Sequence, residues 1–139
     1  AEEAPTAALP ARVIALIKAD GGDILTVSEY GYGKRTAMSE YPLRGRGGQG
    51  VIAQALTEKS GRLIGAIPVQ DGHEIMLVSH AGNLIRVSAS EIRTLGRNTQ
   101  GVRIARPIKN DRLVGIDRIE PEPETDGDEA EPLTPEPTE

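Results

Sequence analysis

Val27-Ser28, Gly31, Arg35, Ser39-Glu40, Gly45-Arg46 and Gln49-Gly50-Val51 return, 51 residues later and without a gap, as Val78-Ser79, Gly82, Arg86, Ser90-Glu91, Gly96-Arg97 and Gln100-Gly101-Val102. Conservative pairs fill the intervals: Asp23 with Glu74, Ile24 with Ile75, Leu25 with Met76. A repeat of this length in a β-rich sequence signals blades or a solenoid, because one unit cannot bury its own apolar face alone. Arg112-Leu113-Val114-Gly115-Ile116 is similar to Arg62-Leu63-Ile64-Gly65-Ala66 and reads as the opening strand of a further unit, used here to close the last blade. Two repeats are few for a stacked architecture, which suggests a chain that is part of something larger.

Within each repeat, short apolar runs alternate with glycine turns. Arg12–Ile17 and Asp23–Ser28 flank Asp20-Gly21-Gly22, and Arg62–Ile67 and Glu74–Ser79 flank Asp71-Gly72-His73. Both arrangements predict β-hairpins. Val, Ile and Leu dominate these runs and no long 3.6-residue period is present, so the expected class is all-β with closely spaced turns. Gly31 and Gly82 sit where a turn needs a positive φ angle. Ser39-Glu40 and Ser88–Glu91 predict single helical turns with serine as the cap.

Charge divides by region. The chain carries 16 Lys and Arg, 21 Asp and Glu and a net charge of −5. Nine of the acids lie in residues 120–139, which hold no base, and two more are Glu2 and Glu3. That leaves 10 acids against all 16 bases in residues 12–119, a charge of about +6 beside a tail of −9. Such asymmetry points to a polyanionic partner with a charged appendage, or to a solubilising tail on an ordinary domain. Residues 1–11 are Ala/Pro/Glu-rich and read as a linker. Residues 120–139, almost free of large apolar side chains, read as a disordered acidic tail.

Arg44–Gly50 and Gly96–Gly101 are donor-rich loops in which backbone N–H groups and guanidinium forks can approach phosphates closely. Glycines that only make turns and arginines that are only solvated would account for the same pattern.

Gly31-Tyr32-Gly33-Lys34-Arg35-Thr36, followed by Glu40-Tyr41-Pro42, resembles a blade of the DNA gyrase A C-terminal domain family. So does Glu91-Ile92 leading to Gly96-Arg97-Asn98-Thr99-Gln100-Gly101-Val102. The resemblance covers most of residues 12–119 and extends to the acidic tail. It implies a β-pinwheel, propeller-like, with four-stranded blades and a strand exchanged between neighbours. Blade 1 is then expected over residues 12–61 and blade 2 over 62–119. The family's signature box, Gln-Arg-Arg-Gly-Gly-Lys-Gly, is met by residues 44–50 only at Arg46, Gly47, Gly48 and Gly50. This loop is therefore a relative of the box rather than the box itself.

The resemblance further implies non-sequence-specific binding and bending of duplex DNA on a basic rim, in support of ATP-driven negative supercoiling by the whole enzyme. The implied partners are duplex DNA, the remainder of the gyrase A polypeptide and the gyrase B polypeptide, in a bacterial cytoplasm near the nucleoid and away from membranes. Lys and Arg at phosphates, with counterion release, would supply the binding. The candidate DNA contacts are Lys34, Arg35, Arg44, Arg46, Arg86, Arg93, Arg97 and Arg103, with Arg35/Arg86 and Arg46/Arg97 foremost because the repeat makes them equivalent. Arg62 and Arg112, at strand starts, are read as closing a blade edge. With no Phe or Trp and three Tyr, base stacking is not expected to dominate, which favours duplex over single strands.

No catalytic residue is expected in this chain. His73 and His80 are the only histidines and lie at turns, no cysteine is present, and the serines lie in no nucleophile elbow. Gly45–Gly50 is followed by no Gly-Lys-Ser/Thr, so it is not a phosphate-binding loop of the Walker kind. No cofactor is expected here, ATP and magnesium being used by other parts of the enzyme that the resemblance implies. Two other readings stay open: the matching C-terminal domain of topoisomerase IV, and a protein-interaction β-repeat whose basic rim holds an acidic partner.

Overall fold

The structure, a computed structural model, describes residues 11–121. The expected linker up to residue 10 and the acidic tail from residue 122 lie outside the described residues. Seven strands build two antiparallel sheets: β1 (Asp23–Ser28), β2 (Tyr32–Ala37), β3 (Leu63–Val69), β4 (Glu74–Ser79), β5 (Leu84–Ser88), β6 (Val102–Arg103) and β7 (Leu113–Ile119). The first sheet runs β3-β1-β2-β6 and the second β5-β4-β7. The fold is all-β, with two short 3₁₀ turns at Met38–Glu40 and Ala89–Glu91. Neither turn has a side-chain cap, and the serine expected to cap the second instead pairs Ser88 Oγ with Ser90 Oγ at 2.8 Å.

The repeat is visible in the register. The β1–β3 ladder matches Asp23 to Val69 and slips at Val27/Ser28; the β4–β7 ladder matches Glu74 to Ile119 and slips at Val78/Ser79. Each slip is a bulge that sharpens the strand twist. Gly31 and Gly82 close the β1–β2 and β4–β5 hairpins with φ angles of 87° and 89°.

The two Asp-Gly turns do not make the predicted hairpins. β1 pairs with β2 and β3, and β4 pairs with β5 and β7, so Asp71-Gly72 carries the chain from one sheet to the next. Turn chemistry fixes where the chain reverses, but not which strand it then pairs with. Arg12–Ile17 likewise forms no strand among the described residues, and Val13 and Leu16 are 87% and 96% exposed. Their counterparts, β3 and β7, each close a sheet begun one repeat earlier.

Among the described residues the second sheet has three strands rather than the expected four. The first sheet takes its fourth, β6, from the following repeat. Among the described residues no strand does the same for β5. The blades are thus units in space, with sheet 1 drawing β3 and β6 from beyond residue 61.

Apolar side chains from both sheets share one core: Leu25, Val27, Val69, Ile75, Leu77, Ala89, Ile92, Ala105 and Leu113. Each fully buried Leu, Ile or Val contributes about 1.5–3 kcal/mol, so the sheets depend on each other. Sheet 1 is covered on both faces where β1 and β2 run, since Thr26, Ser28, Lys34 and Thr36 are buried too.

The strand donation leaves an internal control. A Cβ on Gly31 would lie 2.0 Å from the Ala105 carbonyl oxygen, whereas one on Gly82, in the same turn at nearly the same φ, would meet nothing within 4 Å. We expect Gly82→Ala to cost about 1–2 kcal/mol, the left-handed backbone alone. Gly31→Ala should cost clearly more in urea unfolding, and equal losses would mean that residues 104–105 do not pack there.

Candidate nucleic-acid interface

Lys34 and Arg35 are adjacent on β2, and strand alternation sends them to opposite faces. Lys34 is fully buried. Its ammonium donates to the carbonyl oxygens of Gly96 and Arg97, both at 2.6 Å, and of Thr99 at 2.9 Å. Removal from water pulls its pKa down to about 8, with Glu40 opposing and Arg97 adding to the drop. The side chain therefore stays charged at neutral pH but is committed to the next repeat's loop. It is not a surface contact, contrary to expectation.

Arg35 is also lost to the surface. Its Nε and Nη2 face Asp23 at 3.0 and 2.9 Å, and Nη1 reaches Asp71 at 2.6 Å and the Ala89 carbonyl at 3.1 Å. One guanidinium fork thus joins β1 to the β3–β4 turn and the Ala89–Glu91 turn. Backbone bonds follow the same seam: Arg35 N–H donates to Arg93 O, and Leu95 N–H to Arg35 O. Arg86, its repeat partner, keeps the cross-strand carboxylate, Glu74, has no second carboxylate contact among the described residues, and its side chain is 60% exposed.

The remaining candidates reach solvent to different degrees. Arg44 and Arg46 lie on the wholly exposed loop 42–50. Added Cβ atoms on Gly45, Gly47 and Gly50 would meet nothing within 4 Å, so packing does not explain these glycines. Arg93 is exposed. Arg97 is half-buried, donating from Nε to the Glu40 carbonyl at 2.8 Å and from Nη1 to the Ile52 carbonyl at 2.9 Å. Arg103, on β6, stacks over Tyr32 with its guanidinium 4.9 Å from the ring centre, and its Nη2 donates to the phenol oxygen at 3.1 Å.

Arg103 belongs to a basic groove that the repeat alignment does not bring together. Lys59, Arg103, Lys109 and Arg112 line it, with Tyr30 and Asp111. The Lys59 ammonium lies 5.6 Å from the Tyr32 ring centre, on a ring shared with Arg103. None of the four cations has an ion pair among the described residues. Asp111 accepts from the Ala81 and Arg112 N–H groups at 3.1 and 2.8 Å; its hydrogen bonds, Ser79 foremost, outweigh desolvation and hold its carboxyl below the usual range. A signal for the groove does exist in the sequence: at a spacing of 50 rather than 51, Lys59 aligns with Lys109, and Arg12, Arg62 and Arg112 fall in one column. Arg62 and Arg112 stand immediately before β3 and β7, and both are exposed.

Clustered cations around an aromatic face, free of carboxylate partners, can hold phosphate oxygens. Among the described residues no helix is long and apolar enough to cross a membrane.

Known proteins share this sequence and this fold. The family model described as DNA gyrase C-terminal domain, beta-propeller, matches residues 22–70 and 73–120. The DNA gyrase A protein of Pseudomonas aeruginosa is 50% identical over 114 residues, covering 82% of this chain and 12% of that protein. The gyrase A protein of Escherichia coli K12 is 45% identical over 119 residues, covering 84% of this chain and 14% of the relative. The chain thus spans about one-eighth of the length of these relatives. Among solved structures, a DNA gyrase A C-terminal domain superposes with a TM-score of 0.67 at 32% identity, over 71% of this chain and 34% of the other. A topoisomerase IV C-terminal domain, at 22% identity, reaches 0.65 over 76% of this chain and 32% of its own and bears on the fold alone.

Two predictions come from this geometry. Arg35→Met strands the Asp23 carboxylate and should cost about 3 kcal/mol or more, whereas Arg86→Met, at an exposed pair, should stay within about 1 kcal/mol; urea unfolding compares them. Burial pushes the Tyr32 phenol up, but the hydrogen bonds and charges of Lys59 and Arg103 outweigh it and the net shift is downward. Its tyrosinate should form below the ordinary value of about 10 in an ultraviolet titration, and Lys59→Met should move it back up. Between those two values the folded chain binds fewer protons than the unfolded one, so Tyr32 adds stability as pH rises, and that gain is lost as pH falls through the native pKa.

Proposed function

This chain belongs to the DNA gyrase C-terminal domain family, and on that premise we propose that it binds duplex DNA without reading sequence and bends it against its basic surface. The observation that carries the proposal is the groove lined by Lys59, Arg103, Lys109 and Arg112, of which Lys59 and Arg103 share the Tyr32 ring, with no carboxylate paired to any of them among the described residues. The exposed Arg44–Gly50 loop adds donors on an open surface. Phosphates are the ligand such a surface fits: point charges and guanidinium forks at loop positions, with little aromatic area for bases.

Within the whole enzyme, the proposed role is to hold a DNA segment in a fixed hand so that ATP-driven strand passage yields negative supercoils. The partners in that role are the remainder of the gyrase A polypeptide and the gyrase B polypeptide, two copies of each. ATP and magnesium act in those other parts, and the setting is the bacterial cytoplasm at the nucleoid. This chain supplies binding and shape, not bond chemistry.

The test is a salt titration of binding to random duplex. Affinity should fall linearly on a log–log plot, and Lys59→Gln with Lys109→Gln should weaken binding and lower the slope by about 1.8, or about 0.9 per lost phosphate contact. A second arm compares residues 1–139 with residues 1–119. The nine acids beyond residue 119 are tethered to the basic surface and compete with DNA at high effective concentration, so the shorter chain should bind more tightly at low salt. No binding of either chain at low salt would refute the proposal.

A further inference from the structure

Three backbone carbonyls of one turn converge on a single point in this fold. Gly96 O, Arg97 O and Thr99 O lie 2.6, 2.6 and 2.9 Å from the Lys34 nitrogen, and Thr99 Oγ1 lies at 3.3 Å. An ammonium has three N–H donors and no acceptor, so the count of carbonyls matches the count of donors. Carbonyl dipoles turned on one centre are also how a main-chain loop replaces the hydration shell of a monovalent cation. The turn is braced from outside the centre: Ala55 N–H donates to Thr99 O at 3.1 Å, and Gln54 Nε2 to Gln100 O at 3.0 Å.

The repeat shows that this lysine is tied to the turn it holds. At Lys34's place on β5 stands Ile85, whose side chain has no donors to grip a turn. Conversely, the turn equivalent to Gly96–Thr99, at residues 45–48, has no such lysine among the described residues and is wholly exposed. Its Arg46 makes no hydrogen bond among the described residues, whereas Arg97 is clamped through Nε and Nη1 to the carbonyls of Glu40 and Ile52. The clamp leaves Nη2 unused among the described residues.

We propose that the Gly96–Thr99 turn is a monovalent-cation cage whose resident cation is the Lys34 ammonium, and that this occupant fixes the position from which Arg97 meets a phosphate. The second half rests on the duplex-binding reading above; the first does not. Lys34 is then a positioning residue acting across the blade boundary, not a DNA contact.

The cage is tested by refilling it. Lys34→Ala should melt at a lower temperature than the unsubstituted chain. Ammonium or methylammonium chloride should restore part of the loss relative to tetramethylammonium chloride at equal ionic strength, while the unsubstituted chain should melt alike in all three salts. Restoration equal in all three would overturn the cage. Should the variant fail to fold, the unsubstituted chain still decides: the Lys34 ¹⁵Nζ–H signal should be protected from exchange and coupled to the carbonyl carbons of Gly96, Arg97 and Thr99. Exchange as fast as that of exposed Lys18 would overturn it.

Positioning is tested on duplex binding. Arg97→Met and Lys34→Met should each weaken it by about tenfold at low salt, and the double variant should lose no more than the greater single loss, because both remove one contact. Losses that multiply would overturn the positioning half. If the unsubstituted chain binds no duplex, the functional reading falls and the positioning half with it, while the refilling and exchange experiments still decide the cage.

Discussion

The fold turns on two adjacent charged side chains in the middle of β2. Burying an ammonium or a guanidinium costs several kcal/mol unless every donor is met. Here the Lys34 ammonium has three carbonyls and Arg35 has two carboxylates and a carbonyl. All but one of these acceptors, Asp23, belong to the next repeat. The consequence is a joint that specifies more than it stabilises. A hydrophobic pair could glue two sheets in several registers, but these donors are satisfied only when residues 71, 89 and 96–99 stand in one arrangement. β6 then has a fixed place beside β2, and the loops on either side of it inherit that place.

Strand donation also explains the unequal sheets. β3 and β6 belong by sequence to the second repeat and by pairing to the first sheet. β5 keeps a row of unpaired main-chain groups on its outer side among the described residues, with Leu84 65% exposed. An open edge of this kind invites another strand. Its Asn83 and Leu84 replace the Tyr32 and Gly33 that receive β6 on the first sheet. Gly33 and Gly101 pack so closely that a Cβ on Gly101 would fall 2.6 Å from the Gly33 carbonyl oxygen. The β5 edge is therefore not shaped to take a strand in the way that β2 does.

Much of this was legible in the sequence. The 51-residue repeat, the all-β class and the turn glycines at 31 and 82 are local or periodic signals, and periodicity survives without knowledge of pairing. Pairing itself was not legible. Asp71-Gly72 looks like a hairpin turn because its backbone chemistry is that of a turn, while the strands on either side part into different sheets. Lys34 looks like a surface cation because its acceptors lie more than 60 residues away, on main-chain atoms that no side-chain pattern reveals. The groove was hidden for a different reason. The repeat changes its spacing from 51 to 50 before β3 and β7, so a fixed shift aligns Lys59 with Asn110 and conceals its match to Lys109.

The placement of charge follows from the architecture. A position inside a central strand of this fold is covered by the neighbouring sheet, so a cation there must be bonded to protein, as Lys34 and Arg35 are. Free cations are consequently pushed to the loops at strand ends, at residues 44–46, 59 and 106–112. Because each loop recurs once per repeat, so does its charge, and a stack of such units sets cations at regular steps along a surface. Duplex DNA is stiff over the width of two blades, and bending it needs contacts distributed along the arc rather than one strong site. On the proposed function, a chain with two repeats would hold a duplex at the junction between them. Holding a bend would need each loop fixed relative to the last, and Lys34 fixes the Gly96–Thr99 turn in this way across one blade boundary, while Ile85 at the equivalent place cannot.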